Sequence, residues 1–325
     1  QYLTLAQAQE NKVPVDWDKF RPVPPAFVGT KTFDGYDLAE IVEFIDWGPF
    51  FIAWELHGKF PQILQDPTVG KEATKLYNDA RELLANIVRE KWLKPRAVIG
   101  FWPANSDGKD TVTVLAGASV GEVKLEFLRQ QVKKAAGQPN ISLADFIAPA
   151  ATGKTDHIGA FVVSIEGIEP HLKRFQDAHD DYNKITLQAL ADRLAEAFTE
   201  LLHQKVRKEY WGYAKEEHLT NDQLIREEYL GIRPAPGYPA CPDHTEKRKL
   251  FAMLDATNQT GTILTESLAM YPASSVSGWY LANPESKYFG IGKIEKDQVV
   301  DYAARKGMPL EEAERWLRPV LEYDA

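Results

Sequence analysis

The feature that most constrains the fold is a mixture of two hydrophobic periods along the chain. Apolar residues recur at helical spacing in Val69–Glu90 and in the longest helical candidate, Asp180–Tyr210. Ala97–Trp102 and His157–Ile165 are short, nearly continuous apolar runs, which are typical of buried strands. Strand and helix segments are interleaved without the regular beat of βαβ units, and no internal repeat or low-complexity linker is present. This pattern predicts one compact α/β domain.

The remaining segments complete the predicted order of elements. Thr111–Leu115 follows a turn and is predicted to return as the hairpin partner of Ala97–Trp102. Thr220 or Asn221 can act as an N-cap for the helix that follows. Short helices are predicted at Ser142–Ile147, Asn221–Tyr229 and His244–Thr257, strand-like segments at Ser267–Tyr280 and Tyr288–Ile294, and C-terminal helices at Lys296–Lys306 and Pro309–Leu317.

The charge and hydropathy of the chain argue against nucleic-acid and membrane partners. The formal net charge is -9, and the basic stretches Lys205–Lys208 and Lys247–Lys249 are short and flanked by acids. Nucleic-acid binding requires clustered positive charge. No apolar run approaches the ~20 residues that span a bilayer. The polar segment Gln1–Lys12 lacks the basic and apolar regions of a signal peptide.

Cys241 is the only cysteine, which excludes an intrachain disulfide and a zinc site built on two or more thiolates. A nucleophilic thiol would need a base and an oxyanion site, and the sequence shows neither. The alternative is an ordinary loop cysteine. The low cysteine count favours a reducing, cytoplasmic setting.

The common nucleotide and metal motifs are absent from the sequence. Gly290-Ile-Gly292 lacks the third glycine of a dinucleotide fingerprint, because Glu295 occupies that position. There is no Walker loop and no H-E-x-x-H motif, and the seven histidines are scattered. We therefore expect no metal site.

The strongest local motif is a proline-rich strip, Gly231–Pro239. Its three prolines fix the backbone and favour extended geometry in the residues before them. Ala235 would keep its N–H and carbonyl free for a ligand, and Gly237 permits close backbone approach. Arg233 can grip a carboxylate with two hydrogen bonds, and Tyr238 offers a flat ring. The alternative is a rigid surface turn that only packs.

Three further features could contribute to a ligand site. Asp46 is a carboxylate among aromatic residues, where it could pair with a ligand ammonium or with an internal partner. Asp192 and Glu196 share a face of the long helix, which could equally be a solvated face. Tyr288 and Phe289 are adjacent aromatics, of which one could stack on a base and the other enter the core.

Together these segments resemble the C-terminal activation domain of cobalamin-dependent methionine synthases. The R-x-x-x-G-Y motif at Arg233–Tyr238 is weak alone, but similar segments accompany it along nearly the whole chain. They are Ile45–Trp47 with Pro49–Phe51, Leu143–Pro149, Asp180–Tyr182, Ala189–Phe198, Gly231–Pro239, Asp243–Lys247, Thr265–Ser267, Ser277–Gly278 and Ser286–Tyr288.

The resemblance implies an α/β (α+β) fold, a single C-shaped domain with a twisted antiparallel sheet flanked by helices. Residues 1–325 would form an S-adenosylmethionine-binding fragment of a larger methyltransferase. Inactive cob(II)alamin, bound by a separate domain of the same enzyme, would be reduced by flavodoxin or a diflavin reductase and then methylated. No D-x-H-x-x-G cobalamin motif occurs in this chain.

The resemblance also implies roles for individual residues. Arg233 is expected to hold the methionyl carboxylate and Asp46 the methionyl amino group. Ala235 is expected to offer backbone groups to the adenosine, with Gly237 and Tyr238 completing the loop.

Other positions complete the expected pocket. Tyr288 and Phe289 would line it, and Glu196 would support it from the long helix. Glu227 and Glu228 are candidates for the surface that docks the cobalamin domain. Since the family's nucleophile is the cobalt, no catalytic residue is expected here. The competing hypothesis is a self-contained ligand-binding or hydrolytic protein that shares only the loop.

Overall fold

The computed structural model describes residues 1–117 and 120–325. The helices are α1 (Leu5–Glu10), α2 (Leu38–Val42), α3 (Gly70–Glu90), α4 (Glu169–Asp177), α5 (Asp181–Lys205), α6 (Asn221–Ile225), α7 (Lys247–Leu254), α8 (Ala256–Thr260), α9 (Lys296–Lys306) and α10 (Leu310–Leu317). The strands are β1 (Gly29–Asp34), β2 (Lys94–Ser106), β3 (Thr111–Leu115), β4 (Glu122–Glu126), β5 (Asp156–Glu166), β6 (Ile263–Leu264), β7 (Met270–Tyr271) and β8 (Ser275–Tyr280).

The main sheet has six strands and is antiparallel at every pairing. Five strands follow the order β4-β3-β2-β5-β8, and the sixth, β1, pairs with β2. β2 pairs with β5 along one edge, and β1 and β3 follow one another along its other edge. β6 and β7 form a separate two-stranded sheet. The antiparallel arrangement agrees with the fold that the resemblance implied.

The two central strands are buried on both faces, which explains their nearly continuous apolar sequences. Ile99 and Phe161 pack into one core with α3, α5 and the aromatic segment around Phe50. Val98 and Val162, one residue along each strand, pack into a second core with α7 and α8. A third, smaller cluster joins α9 and α10. The sheet therefore separates two hydrophobic layers.

The long helices were predicted well because their apolar stripes are strong. Val69–Glu90 forms α3, and Asp180–Tyr210 forms α5 followed by a π-helical turn at Val206–Tyr210. Asp180 is the N-cap of α5 and accepts from the Asn183 N–H. Thr220 is the N-cap of α6. The strand Ala97–Trp102 and its hairpin partner Thr111–Leu115 are also confirmed, as β2 and β3.

Several predicted segments are shorter or more broken than expected. Ser142–Ile147 contains only a 3₁₀ helix, and Asn221–Tyr229 only the five residues of α6. His244–Thr257 begins as a 3₁₀ turn and is interrupted at Asp255, whose φ is 49°. Ser267–Tyr280 contains the two short strands β7 and β8.

The predicted strand at Tyr288–Ile294 is wrong: this segment is irregular. Its neighbour is the proline strip, which it contacts through two hydrogen bonds. The Ile291 N–H donates to the Pro239 carbonyl at 2.8 Å, and the Tyr288 hydroxyl accepts from the Arg233 N–H at 3.0 Å. Because prolines lack an N–H, the strip cannot complete a ladder with this segment.

A buried ion cluster fixes the loops beside β3 and β4. Arg129 is fully buried, and its Nε donates to Asp110 at 2.9 Å. Its Nη1 and Nη2 donate to the two carboxylate oxygens of Asp145 at 2.8 and 2.7 Å. The Asn140 carbonyl also accepts from Nη1 at 2.8 Å. Three chain segments therefore depend on one guanidinium.

Among residues 1–117 and 120–325, no helix is long and apolar enough to cross a membrane.

Replacing Arg129 with alanine is expected to lower the free energy of unfolding by ~3–5 kcal/mol, because two buried carboxylates lose their counter-ion. Urea denaturation followed by circular dichroism measures this change. The exposed Arg89 on α3 provides the control, and Arg89→Ala should leave the denaturation midpoint almost unchanged. A loss below ~1 kcal/mol in Arg129→Ala would contradict the importance of the cluster.

Candidate functional site

The proline strip lies along the outer edge of β8 and its continuation. Ile232 and Leu281 exchange two backbone hydrogen bonds of 3.0 Å, and the Trp279 N–H donates to the Pro234 carbonyl at 2.8 Å. Since Pro234 itself has no N–H to donate, pairing stops there and the chain can leave the sheet. The sheet therefore sets the position of Arg233, which stands between these two contacts.

The strip then closes into a turn. The Tyr238 N–H donates to the Ala235 carbonyl at 3.1 Å, and the Gly237 N–H donates to the Cys241 carbonyl at 2.9 Å. This corrects the expectation that both backbone groups of Ala235 are free. Its carbonyl is used by the turn, whereas its N–H has no hydrogen-bond partner in the described part of the chain. The sequence could not show that the strip folds back on itself.

An open cavity of about 530 Å³ lies between the strip, α5 and the segment after β8. Its volume is in the range of small-molecule sites. Six of the eight predicted site residues line it, and the others in its wall come from β5, α5, β8 and the neighbourhood of the strip. The six are Glu196, Arg233, Ala235, Tyr238, Tyr288 and Phe289; the others are Phe161, Thr199, Glu227, Pro234, Pro239, Ala240 and Val276.

Gly237 and Asp46 are not among the residues that line this cavity. Gly237 has a φ of 94°, and a Cβ there would lie 2.3 Å from His244 Cε1. The glycine is therefore needed for the turn and for packing against His244. Asp46 is half-buried and accepts from the Gly48 N–H at 3.0 Å. The carbonyl of its neighbour Ile45 accepts from Asn221 at 3.2 Å.

Arg233 is the centre of a polar network beneath the cavity. Its Nη2 donates to Glu200 Oε2 at 2.7 Å, and its Nη1 lies 2.9 Å from His203 Nδ1. Nη1 also contacts the Tyr229 hydroxyl at 3.3 Å, and the guanidinium lies over the Tyr229 ring. Its backbone N–H donates to the Tyr288 hydroxyl at 3.0 Å. Both the backbone and the side chain of Arg233 are therefore held in place.

The histidine in this network is neutral. His203 is fully buried, and burial lowers its pKa well below the usual value, with Arg207 and Arg233 lowering it further. Because arginine can only donate, His203 Nδ1 must accept, which places the ring proton on Nε2. His203 thus supplies an acceptor for Arg233 without adding positive charge.

Two carboxylates, Glu196 and Glu227, also line the cavity. Burial raises the pKa of Tyr238, and the nearby Glu196 raises it further. Burial also raises the pKa of Glu227, while Arg233 lowers it in part. The cavity therefore combines a cationic group at its base with carboxylates and aromatic rings in its walls.

Cys241 does not have the environment of a nucleophile. It is buried, and burial raises the pKa of its thiol, with Glu246 and Asp243 adding to the effect. A thiol held protonated in this way is poorly reactive. The structure therefore favours the ordinary loop cysteine over the nucleophilic alternative.

Glu200, His203 and Tyr229 were not predicted as site residues. Glu200 and His203 lie on α5 within a stretch, Ala197–His203, that is buried at every position. Polar residues in such a stretch require internal partners, so this burial pattern could have indicated a site. The partner itself, Arg233, is 33 residues from Glu200 in sequence.

This chain is similar to proteins of known family and structure. The family model described as vitamin B12 dependent methionine synthase, activation domain, matches residues 37–307. A solved structure, described as the MetH reactivation domain bound to AdoHcy, is 48% identical to this chain. The match covers 99% of each chain with a TM-score of 0.94. The chain belongs to the activation-domain family of vitamin B12-dependent methionine synthases.

For this activation domain, the family match confirms the resemblance seen in the sequence. It also decides against an unrelated protein that shares only the loop, because the matched region extends from residue 37 to residue 307. The similarity to the solved domain confirms the mixed α/β fold with an antiparallel sheet.

Replacing Gly237 with alanine should destabilise the activation domain by ~1–3 kcal/mol or more, because a strained φ is combined with a clash against His244. Gly292 is a matched control: its φ is 71°, but a Cβ there has nothing within 4 Å. Gly292→Ala should show only the cost of the backbone conformation. Thermal unfolding of both variants measures the difference, and equal losses would show that the His244 contact is unimportant.

Proposed function

We propose that this activation domain binds S-adenosylmethionine in the cavity beside the proline strip. The observation that carries the proposal is the state of Arg233, which lines the cavity with its guanidinium already fixed by Glu200 and His203. Its Nε has no hydrogen-bond partner within residues 1–117 and 120–325. A fixed arginine with free donors is suited to the carboxylate of an amino-acid ligand.

The other walls suit the rest of the ligand. A sulfonium is a cation, and Glu196, Glu227 and the ring of Tyr238 offer it negative charge and an aromatic face. Tyr288 and Phe289 present further aromatic surface for the adenine, and the free N–H of Ala235 can donate to the adenosine. Cation, carboxylate and base thus each have a matching group in one cavity.

The solved relative supports this choice of ligand. AdoHcy, named with that structure, is S-adenosylmethionine without its transferable methyl group, and the relative is 48% identical over nearly the full length. The two ligands share the carboxylate, the ammonium and the adenosine. The groups of the cavity that suit these parts of the ligand are therefore relevant to both.

Residues 1–325 would act as one ligand-binding part of a larger methyltransferase. S-adenosylmethionine supplies an electrophilic methyl group, and cobalamin, carried by a separate domain, supplies the nucleophile. The residues of this chain then need only bind and orient. The expected partners are the cobalamin domain, with Glu227 and Glu228 as candidate docking residues, and flavodoxin or a diflavin reductase as electron donor.

Calorimetric titration with S-adenosylmethionine tests the proposal. Wild type should bind saturably, and Arg233→Ala should bind at least about tenfold more weakly, since a hydrogen bond to a charged group is worth ~1.5–3 kcal/mol. Arg226→Ala removes an exposed arginine paired with Glu228 and should bind like wild type. Absence of saturable binding by a folded wild type would refute the proposal.

The role of Asp46 needs a separate test, because Asp46 does not line the cavity in this structure. If Asp46 holds the ligand's ammonium, Asp46→Asn should weaken binding by ~1.5–3 kcal/mol. Asparagine can still accept from the Gly48 N–H, so the local turn should persist. The exposed Glu43, three residues earlier, provides the control as Glu43→Gln. Unchanged affinity in Asp46→Asn would remove Asp46 from the site.

A further inference from the structure

The Glu200 carboxylate has a geometry that stability alone does not explain. Glu200 is 8% exposed, and its two oxygens face the two terminal nitrogens of Arg233 at 2.7 and 3.4 Å. Burying an ion pair costs desolvation that apolar residues of similar size would avoid. Its presence at the base of the candidate ligand site therefore points to a role in positioning Arg233.

Counting donors on the guanidinium shows which edge is left for a ligand. Nη1 has three acceptors around it, on Glu200, His203 and Tyr229. Nη2 donates one hydrogen to Glu200 Oε2. The second Nη2 hydrogen and the Nε hydrogen have no partner on any residue whose position is described. These two hydrogens lie on the same lateral edge of the planar group and form a second two-pronged donor.

We propose that Glu200 is a positioning residue that holds Arg233 by the end of its guanidinium, so that the lateral edge receives the ligand's carboxylate. This rests on the proposed function. Arginine has several rotatable bonds, and a free side chain would lose conformational entropy when it bound a ligand. Because Glu200, His203 and Tyr229 already hold the side chain, this entropy is lost during folding and not on binding, so binding becomes more favourable.

The surrounding groups support this arrangement. Neutral His203 accepts from Nη1 and cannot repel the guanidinium. The Tyr288 hydroxyl accepts from the backbone N–H of Arg233 and bonds to the Tyr229 hydroxyl at 2.6 Å. The Arg233 side chain retains 17% of its surface exposed. It is thus enclosed on the Glu200 side and open toward the cavity that it lines.

The alternative is that Glu200 competes with the ligand for Arg233, and the two roles predict opposite changes in ligand affinity when the Glu200 charge is removed. If Glu200 competed with the ligand for Arg233, removing its charge would strengthen binding of the carboxylate. If Glu200 positions Arg233, removing its charge weakens binding of the carboxylate and leaves the rest of the ligand unaffected. The two roles are distinguished by comparing ligands with and without a carboxylate.

The experiment uses Glu200→Gln in the whole 325-residue chain, titrated with S-adenosylhomocysteine and with 5′-methylthioadenosine, which has the same uncharged thioether but lacks the amino-acid end. The measured quantity is the affinity for the ligand with the amino-acid end divided by the affinity for 5′-methylthioadenosine. We expect Glu200→Gln to lower this ratio by about tenfold, as for a lost charge-assisted contact, and to leave the affinity for 5′-methylthioadenosine unchanged within about twofold. A purely structural defect would weaken both ligands together. An unchanged ratio, or a higher one, overturns the proposal.

Glu126→Gln is the matched control, because Glu126 is also buried and pairs with an arginine, Arg305, outside the cavity. It should lower thermal stability and leave the ratio unchanged.

A structure of wild type with S-adenosylhomocysteine gives a test that does not depend on the folding of a variant. It should show the Glu200–Arg233 pair retained and the ligand carboxylate on the lateral edge; displacement of Glu200 by the ligand overturns the proposal. If wild type binds neither ligand, the proposed function fails and this inference fails with it, whereas normal wild-type binding with an unchanged ratio rejects only the role of Glu200.

Discussion

The pairing of β2 with β5 is the contact on which the rest of the structure depends. Their register extends from Lys94 opposite Glu166 to Ala104 opposite Asp156, without a break. Both strands are covered on both faces, so they anchor the two main cores at once. β8 adds to the free edge of β5, and the proline strip adds to β8. The position of Arg233 thus follows from the central pair through two further pairings.

Buried arginines are used in two different ways in this domain. Arg129 and Arg207 are both fully buried and bind carboxylates, Arg129 through all three of its guanidinium nitrogens and Arg207 through two, with Glu217 at 2.6 and 3.0 Å. Such groups join chain segments. Arg233 has the same kind of carboxylate partner, but the lateral edge of its guanidinium has no partner among the described residues and its side chain is partly exposed in the cavity lining. Arg207 also has an unpartnered nitrogen, Nη1, but that atom is buried, and Arg207 is not among the residues that line this cavity. An unused edge that a ligand can reach, rather than the buried charge, is what indicates a ligand.

The sequence predicted the parts of the fold whose pattern is local. Apolar stripes identified α3 and α5, and continuous apolar runs identified the central strands, because those patterns reflect burial directly. Tyr288–Ile294 failed because a strand needs a partner with free backbone groups, and the proline strip has few. The interruption at Asp255, whose φ is 49°, was not predicted either, because a single aspartate does not by itself indicate a left-handed residue and helix resumes directly after it as α8.

The parts of the site that depend on the type of a single residue could be predicted from the sequence. The stiffness of the strip and its arginine favoured a ligand, but left a rigid turn as an open alternative. Glu200 and His203 were not identified: polar residues within Ala197–His203 could have indicated internal partners, but periodicity cannot tell which face of the helix meets Arg233. The family resemblance assigned ligand contacts without assigning geometry, which is why it could include Asp46 although Asp46 lies outside the cavity lining. What a ligand meets here depends on contacts between α5 and a strip more than thirty residues away, and only the folded chain determines these.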